Sequence, residues 1–235
     1  MNLLTELQDL MSKQEPLSAE LEYYLEENED LGWPMLRHPL VFSVPHFDAM
    51  NALVNQRLRE KKLAVNKARN TRRWDRFIFL HERPYRLDAF MSVEDILPDK
   101  KYWSLLGDIW TDSENIRQNM SEWRHLLSSH RPCRYAMMQQ EERNVIKHDL
   151  PGEVTVYRGF PGRGIQHGFS WSTNPVVAKF FARRLAGKDE ARNLVVGTVA
   201  KKDVIAYFDG RSEQEVVVLP ENVTVTKLIE LPDDQ

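Results

Sequence analysis

The feature that most constrains the fold is a change in the spacing of apolar residues partway along the chain. Up to about His148 they recur at helical intervals, and from Glu153 onward they gather into short β-branched runs. Glu153 to Tyr157, Asn193 to Val199, Val204 to Phe208, Glu215 to Leu219 and Val223 to Ile229 read as strands. Between them Pro175 to Leu185 reads as a helix with Val177, Phe180, Phe181 and Leu185 on its apolar side. Helices first and strands afterward predict an α+β architecture, with any chemistry in the second half.

The first half divides at its prolines. Leu3, Leu4, Leu7, Leu10 and Met11, then Leu21, Tyr24 and Leu25, suggest two short amphipathic helices broken by Pro16. Gly32 to Pro45 reads as irregular, and Phe47 to about Asn66 as a helix burying Met50, Leu53, Val54, Leu58 and Leu63. Trp74 to Leu80 fits a short strand or a buried helix equally well. After Pro98 a helix carries Trp103, Leu106 and Trp110. In Thr111-Asp112-Ser113-Glu114 a hydroxyl precedes Glu by three residues, the pattern of a capping box opening a helix toward Leu127. A further helix is expected from about Arg134 to His148, ending before Pro151-Gly152. The expected division is a mainly helical region of unassigned role over 1–95 and a second domain over 96–235.

Composition narrows the setting. A single cysteine, Cys133, excludes an intramolecular disulfide and any multi-cysteine metal site, and it has no recognisable nucleophile context. The histidines form no His-x-x-x-His or His-Glu-x-x-His pair, so no metal site is expected. Met1 to Glu6 lacks a basic n-region and an apolar h-region, and no stretch approaches about 18 apolar residues. Action in the cytoplasm, away from membranes, is the expectation. Charge is unevenly spread: residues 1–32 hold nine acids against Lys13, a net of −8, whereas residues 57–76 hold nine bases against Glu60 and Asp75, a net of +7. The basic block suits nucleic-acid phosphates, with Trp74 available to stack on a base. It is equally compatible with a solvated helix face, or with docking of the acidic N-terminal segment.

Three short motifs fall in order within the strand-rich half. Tyr157-Arg158-Gly159 ends the first strand. Gly168-Phe169-Ser170-Trp171-Ser172-Thr173-Asn174-Pro175 leads into the helix containing Val177-Ala178. Glu213-Gln214-Glu215 opens a late strand, where alternation would place both acids side by side on one face. This set resembles the Arg-Ser-Glu class of ADP-ribosyltransferases, the cholera-toxin-like branch, over roughly residues 134–235. The family's middle motif is usually Ser-Thr-Ser, whereas this chain has Trp171 between its serines. Ser170 aligns with the first serine, with Ser172 as the alternative under a two-residue shift.

The resemblance implies a split β-sandwich enclosing an NAD cleft, with NAD as substrate and no metal. It implies that Glu215 binds the ribose and supports an oxocarbenium-like transition state, in which positive charge develops on the ring. Glu213 would orient the acceptor and take its proton. Arg158 would anchor the pyrophosphate or adjoining ribose, Gly159 would let nicotinamide approach the backbone, and Ser170 would fix Glu215. Phe180 or Phe181 would stack on nicotinamide, although at least one is expected in the core. The Asp209-Gly210-Arg211-Ser212 loop would recognise the acceptor, with Phe208, Arg211 and Glu213 as its contacts.

The implied function is mono-ADP-ribosyl transfer by an intracellular toxin, defence or host-modifying factor of bacterial or phage type. An antitoxin or regulatory partner is compatible with that role. Glutamate at both Glu-x-Glu positions resembles the arginine-modifying members, and the basic block keeps an RNA or DNA acceptor open. The alternatives are an NAD glycohydrolase and a non-catalytic binding protein on the same fold. Gly162-Arg163-Gly164 lacks the third glycine and the strand-helix setting of a dinucleotide fingerprint, so a Rossmann reading is rejected.

Overall fold

The structure is a computed structural model that describes residues 15–43, 45–114, 116–162, 168–184, 186–187 and 190–232. The expected first helix, carrying Leu3 to Met11, lies outside the described residues, as do Arg163-Gly164 and Leu185. The chain separates into two compact units, Met1–Leu97 and Pro98–Gln235.

In the first unit a four-residue helix, α1 (Ala19–Glu22), precedes a three-stranded antiparallel sheet of β1 (Leu25–Glu26), β2 (Met35–His38) and β3 (Val41–Ser43). The sheet corrects two sequence expectations. Leu25 is extended rather than helical, and the proline-rich stretch holds two paired strands. Pro39 interrupts nothing, because it lies in the tight turn between His38 and Val41, where its missing N–H removes no ladder bond. The neighbouring Leu40 amide donates to His38 Nδ1 at 3.0 Å. Leu21, Leu36, Val41, Val54 and Leu58 form a common core.

Three helices complete this unit: α2 (Asn51–Asn70), α3 (Trp74–Phe79) and α4 (Arg86–Met91). Along α2, Val54 and Leu58 are buried but Leu63 is 72% exposed. Its position falls on the opposite side of the helix from the buried Val54, Leu58 and Ala68, so the helical period turns it away from the core, contrary to expectation. Trp74 to Leu80 resolves as helix. Trp74 itself is buried edge-to-face against Phe77, with ring centroids 6.3 Å apart, and is unavailable for stacking on a base. Part of the basic block pairs locally: Lys62 with Glu20, and Arg57 and Lys61 with Glu82.

The second unit opens with α5 (Asp99–Asp112), whose Trp103, Leu106 and Trp110 are buried. Thr111 is still inside this helix and donates to the Gly107 and Asp108 carbonyls, so it does not cap the next one. A short 3-10 turn over Ile116–Asn119 leads instead into α6 (Met120–Leu127). The segment from Arg134 to His148 is likewise broken, into a 3-10 turn, α7 (Gln140–Asn144) and a π turn over Val145–Asp149.

Then come β4 (Glu153–Pro161), β5 (Ser170–Ser172), α8 (Pro175–Arg184), β6 (Arg192–Ala200), β7 (Val204–Phe208), β8 (Glu215–Val218) and β9 (Thr224–Leu231). The strands form an antiparallel sheet in the order β7-β8-β5-β4-β6-β9. Its centre is weak: β4 and β5 share a single register pair, Tyr157 with Ser172, whereas β4 and β6 share nine. Three strands thus lie on each side of a near-parting. α8 covers β4 with Ala178 and Ala182, and Gly159 makes this contact possible. A Cβ at Gly159 would fall 1.7 Å from the Ala178 carbonyl oxygen.

Candidate functional site

A cleft of about 720 Å³ opens in the second unit, between the β4 and β5 edges, α5 and the loop before β8. The register of β5 on β8 explains which side chains reach it. Ser170 opposes Val217, Trp171 opposes Val216 and Ser172 opposes Glu215, so 170, 172 and 215 share one face while Trp171 points away. Trp171 is buried, with its indole N–H donated to the Gly168 carbonyl at 2.9 Å. The unexpected tryptophan therefore serves the opposite side of the strand.

Glu215 is the centre of the cleft and only 7% exposed. Its Oε1 accepts from the Ser170 hydroxyl, and its Oε2 accepts from the Trp110 indole N–H at 3.2 Å. Burial raises the carboxyl's pKa above the ordinary glutamate value, and Glu213 nearby adds to the rise. The two hydrogen bonds and Arg211 oppose it. Of the two serines, Ser170 engages Glu215. Ser172 instead donates to the Glu213 backbone carbonyl at 2.7 Å and accepts from the Asn174 amide at 3.0 Å.

Arg158 lies across the cleft on β4. Its Nη1 donates to the Ser170 carbonyl at 2.5 Å, which ties the arginine to the serine that holds Glu215. Its side chain keeps some solvent access along the cleft, yet the guanidinium is enclosed: a Cβ at Gly168 would fall 2.5 Å from Arg158 Cζ. Burial, together with positive charge from Arg117, pushes the Arg158 pKa down to about 10, while Glu215 acts the other way. The group stays protonated at neutral pH. Its Nε is buried with no hydrogen-bond partner in the protein, an unusual state for a cationic donor.

The relation between Glu213 and Glu215 differs from the strand-face expectation. β8 begins at Glu215, so Glu213 sits in the preceding loop. Ser212 and Gln214 flank it with φ of 55° and 47°, left-handed values that break strand alternation. Both acids nonetheless line the cleft, Glu215 at its depth and Glu213 on the loop, in an ion pair of 3.1 Å with Arg211.

Other expected contacts separate. Phe181 lines the cleft, whereas Phe180 is 55% exposed and outside it, beneath the Arg184 guanidinium. Neither is in the core, which on this helix consists of Ala178 and Ala182. Phe208 is buried in β7, where every residue is enclosed, and it is not among the residues that line the cleft. Gly159 does line the cleft; it lies within β4 rather than in a turn, and its missing side chain also accommodates α8. Trp110 and Arg117 also line the cleft without any expectation from the sequence, because nothing local in the chain signals the indole bond to Glu215 or the approach of this second arginine.

Among the described residues no group of His, Cys, Asp and Glu is arranged to hold a metal ion, and no helix is long and apolar enough to cross a membrane. No family model, curated protein or solved structure matches the chain.

Proposed function

We propose that the chain is a mono-ADP-ribosyltransferase that uses NAD as donor, with the near-parted sheet acting as the split β-sandwich of that class. The observation that carries this reading is Glu215: a buried carboxylate held by two neutral donors, in a cleft that is also lined by the half-buried Arg158. A carboxylate so fixed is suited to stabilising positive charge that develops on a ribose ring. The anion is in place before the reaction, and it strengthens its interaction as the substrate becomes cationic.

The residues divide the work. Arg158 takes the pyrophosphate or its adjoining ribose through the part of its side chain that lines the cleft. Glu215 faces the ribose while Ser170 and Trp110 hold its two oxygens. Phe181 offers a ring to the nicotinamide side of the cleft. As the bond from ribose C1′ to nicotinamide breaks, nicotinamide leaves with the electron pair. The acceptor attacks C1′ and gives its proton to Glu213. The acceptor is a macromolecule, a protein arginine or an RNA or DNA base, and NAD as donor places the enzyme's work inside a cell, as a toxin, defence or host-modifying factor.

The test is incubation of the purified chain with labelled NAD and a cell lysate, measuring nicotinamide release and then treating the labelled product separately with protease and nuclease. Release with transfer to a macromolecule is the expected outcome. Release with all label in free ADP-ribose would make the chain an NAD glycohydrolase. No release would refute enzymatic use of NAD and leave a binding protein.

A further inference from the structure

Among the described residues Arg211 forms an ion pair with Glu213, the residue expected to receive an acceptor's proton. Its Nη2 lies 3.1 Å from Glu213 Oε2, and both residues line the same cleft as Glu215. The loop that carries the pair is fixed at several points. The Ser212 amide donates to the Asp209 carbonyl at 2.9 Å, the Gln214 amide to Asp209 Oδ1 at 3.2 Å, and the Ser172 hydroxyl to the Glu213 carbonyl at 2.7 Å. Arg211 itself remains 54% exposed along its side chain. An ion pair that open to water holds weakly, so the guanidinium is free to swing from its resting contact toward the cleft while the backbone beneath it stays in place.

We infer that Arg211 is an acceptor within the chain's own active site, so that the protein ADP-ribosylates itself at this residue. The inference rests on the transferase reading above and adds to it the acceptor chemistry, a guanidinium. The contact already pairs a guanidinium nitrogen with the proton-accepting oxygen, which is the arrangement an incoming arginine needs. In the step itself, the C1′–N bond to nicotinamide breaks and nicotinamide departs with its electrons. A terminal Arg211 nitrogen forms the new bond to C1′ and loses one proton to Glu213. No oxidant, reductant or further co-reactant is needed. Because attacker and ribose are held on one molecule, the reaction is unimolecular in the NAD complex and gains the advantage of proximity.

The test uses the full chain with NAD alone. Nicotinamide release is followed in the same samples that are digested with a lysine-specific protease and sequenced by electron-transfer mass spectrometry. The expected result is one ADP-ribosyl group on Arg211, with a fraction modified over time that is unchanged by tenfold dilution of the protein. Glu213→Gln should slow the marking of Arg211 by about 100-fold, the scale of a general base, with an unchanged melting temperature showing that the variant is folded. Arg211→Lys should lose the mark from this peptide. Nicotinamide release with Arg211 unmodified, or marking whose rate scales with protein concentration, would overturn this inference and leave the transferase reading standing. Absence of nicotinamide release would overturn both.

Discussion

Trp110 on α5 donates its indole N–H to Glu215 Oε2 on β8, linking residues 105 positions apart in the chain. The Ser170 hydroxyl takes the other oxygen, so both lone-pair faces of this buried carboxylate are directed by neutral donors rather than by an adjacent cation. A salt bridge in that place would neutralise the anion the proposed reaction needs. Hydrogen bonds from a hydroxyl and an indole hold it while leaving its charge available.

Trp110→Phe should keep most of the packing and remove the donor. Hydrogen bonds to charged groups contribute roughly 1.5–3 kcal/mol, so the Glu215 pKa should climb further above the ordinary glutamate value. The acid limb of the pH profile for nicotinamide release should move to higher pH, with partial recovery of activity at alkaline pH. An unshifted profile would show that the indole bond does not govern the carboxylate.

Glu215→Gln should abolish nicotinamide release and, at neutral pH, make the protein more stable. The sign follows from the raised folded-state pKa. As pH rises from the unfolded value, about 4.3, through the folded value, the unfolded chain releases its proton first and stability falls. Above that window the folded protein carries the whole penalty of a buried anion, about 1.4 kcal/mol for each unit of displacement. Glutamine avoids the penalty and can keep both contacts, accepting from Trp110 and donating to a rotated Ser170 hydroxyl. Melting temperatures of the two proteins should therefore differ at pH 8 and converge below about pH 4. A destabilised variant at pH 8 would contradict the assignment of a strained, ionised Glu215.

What the sequence disclosed and what it hid have physical causes. The strands from 153 onward were legible because their β-branched runs reflect burial, and Val204–Phe208 is enclosed at every position. That same burial should have excluded Phe208 from an acceptor loop, which starts only at Asp209. Arg158, Ser170, Glu213 and Glu215 do line one cleft. Strand alternation nonetheless does not relate Glu213 to Glu215, because Ser212 and Gln214 are left-handed, a conformation that leaves no mark in residue type. Trp110 was legible as core and illegible as a donor, since its partner is supplied by tertiary packing alone. Trp74 misled for the opposite reason: its basic neighbours are exposed, but its own position faces the core with Phe77.

Two glycines should separate stability from binding. Gly159→Ala places a Cβ against fixed backbone, 1.7 Å from the Ala178 oxygen and 2.7 Å from the Ala182 nitrogen, so α8 must lift from β4. A loss on the order of 3 kcal/mol is expected, at the upper end of overpacking effects. Gly168→Ala places its Cβ nearest the guanidinium of Arg158, the far end of a side chain that can shift where fixed backbone cannot. Its melting temperature should stay within a few degrees of the parent, on the order of 1 kcal/mol, while NAD affinity falls. Thermal unfolding and calorimetric NAD titration on both variants test the contrast, and equal stability losses would contradict it.

Arg158→Lys should weaken NAD binding although it keeps a positive charge. An ammonium cannot reproduce the planar fork that lets one side chain hold the Ser170 carbonyl and still offer a second N–H to a phosphate, and a loss of about tenfold or more is expected for that geometry alone. The site adds a second penalty. Burial and Arg117 already pull the arginine down to about 10. The same surroundings act on a lysine whose ordinary pKa is lower than that of arginine, so its titration moves into the mildly alkaline range. NAD affinity of the variant should therefore fall again between pH 7 and pH 9, where the parent arginine remains mostly charged. Calorimetric titration at the two pH values separates the effects: a tenfold loss independent of pH would indicate geometry alone. Unchanged affinity at both would move the phosphate anchor away from Arg158, to Arg184 on the neighbouring cleft wall.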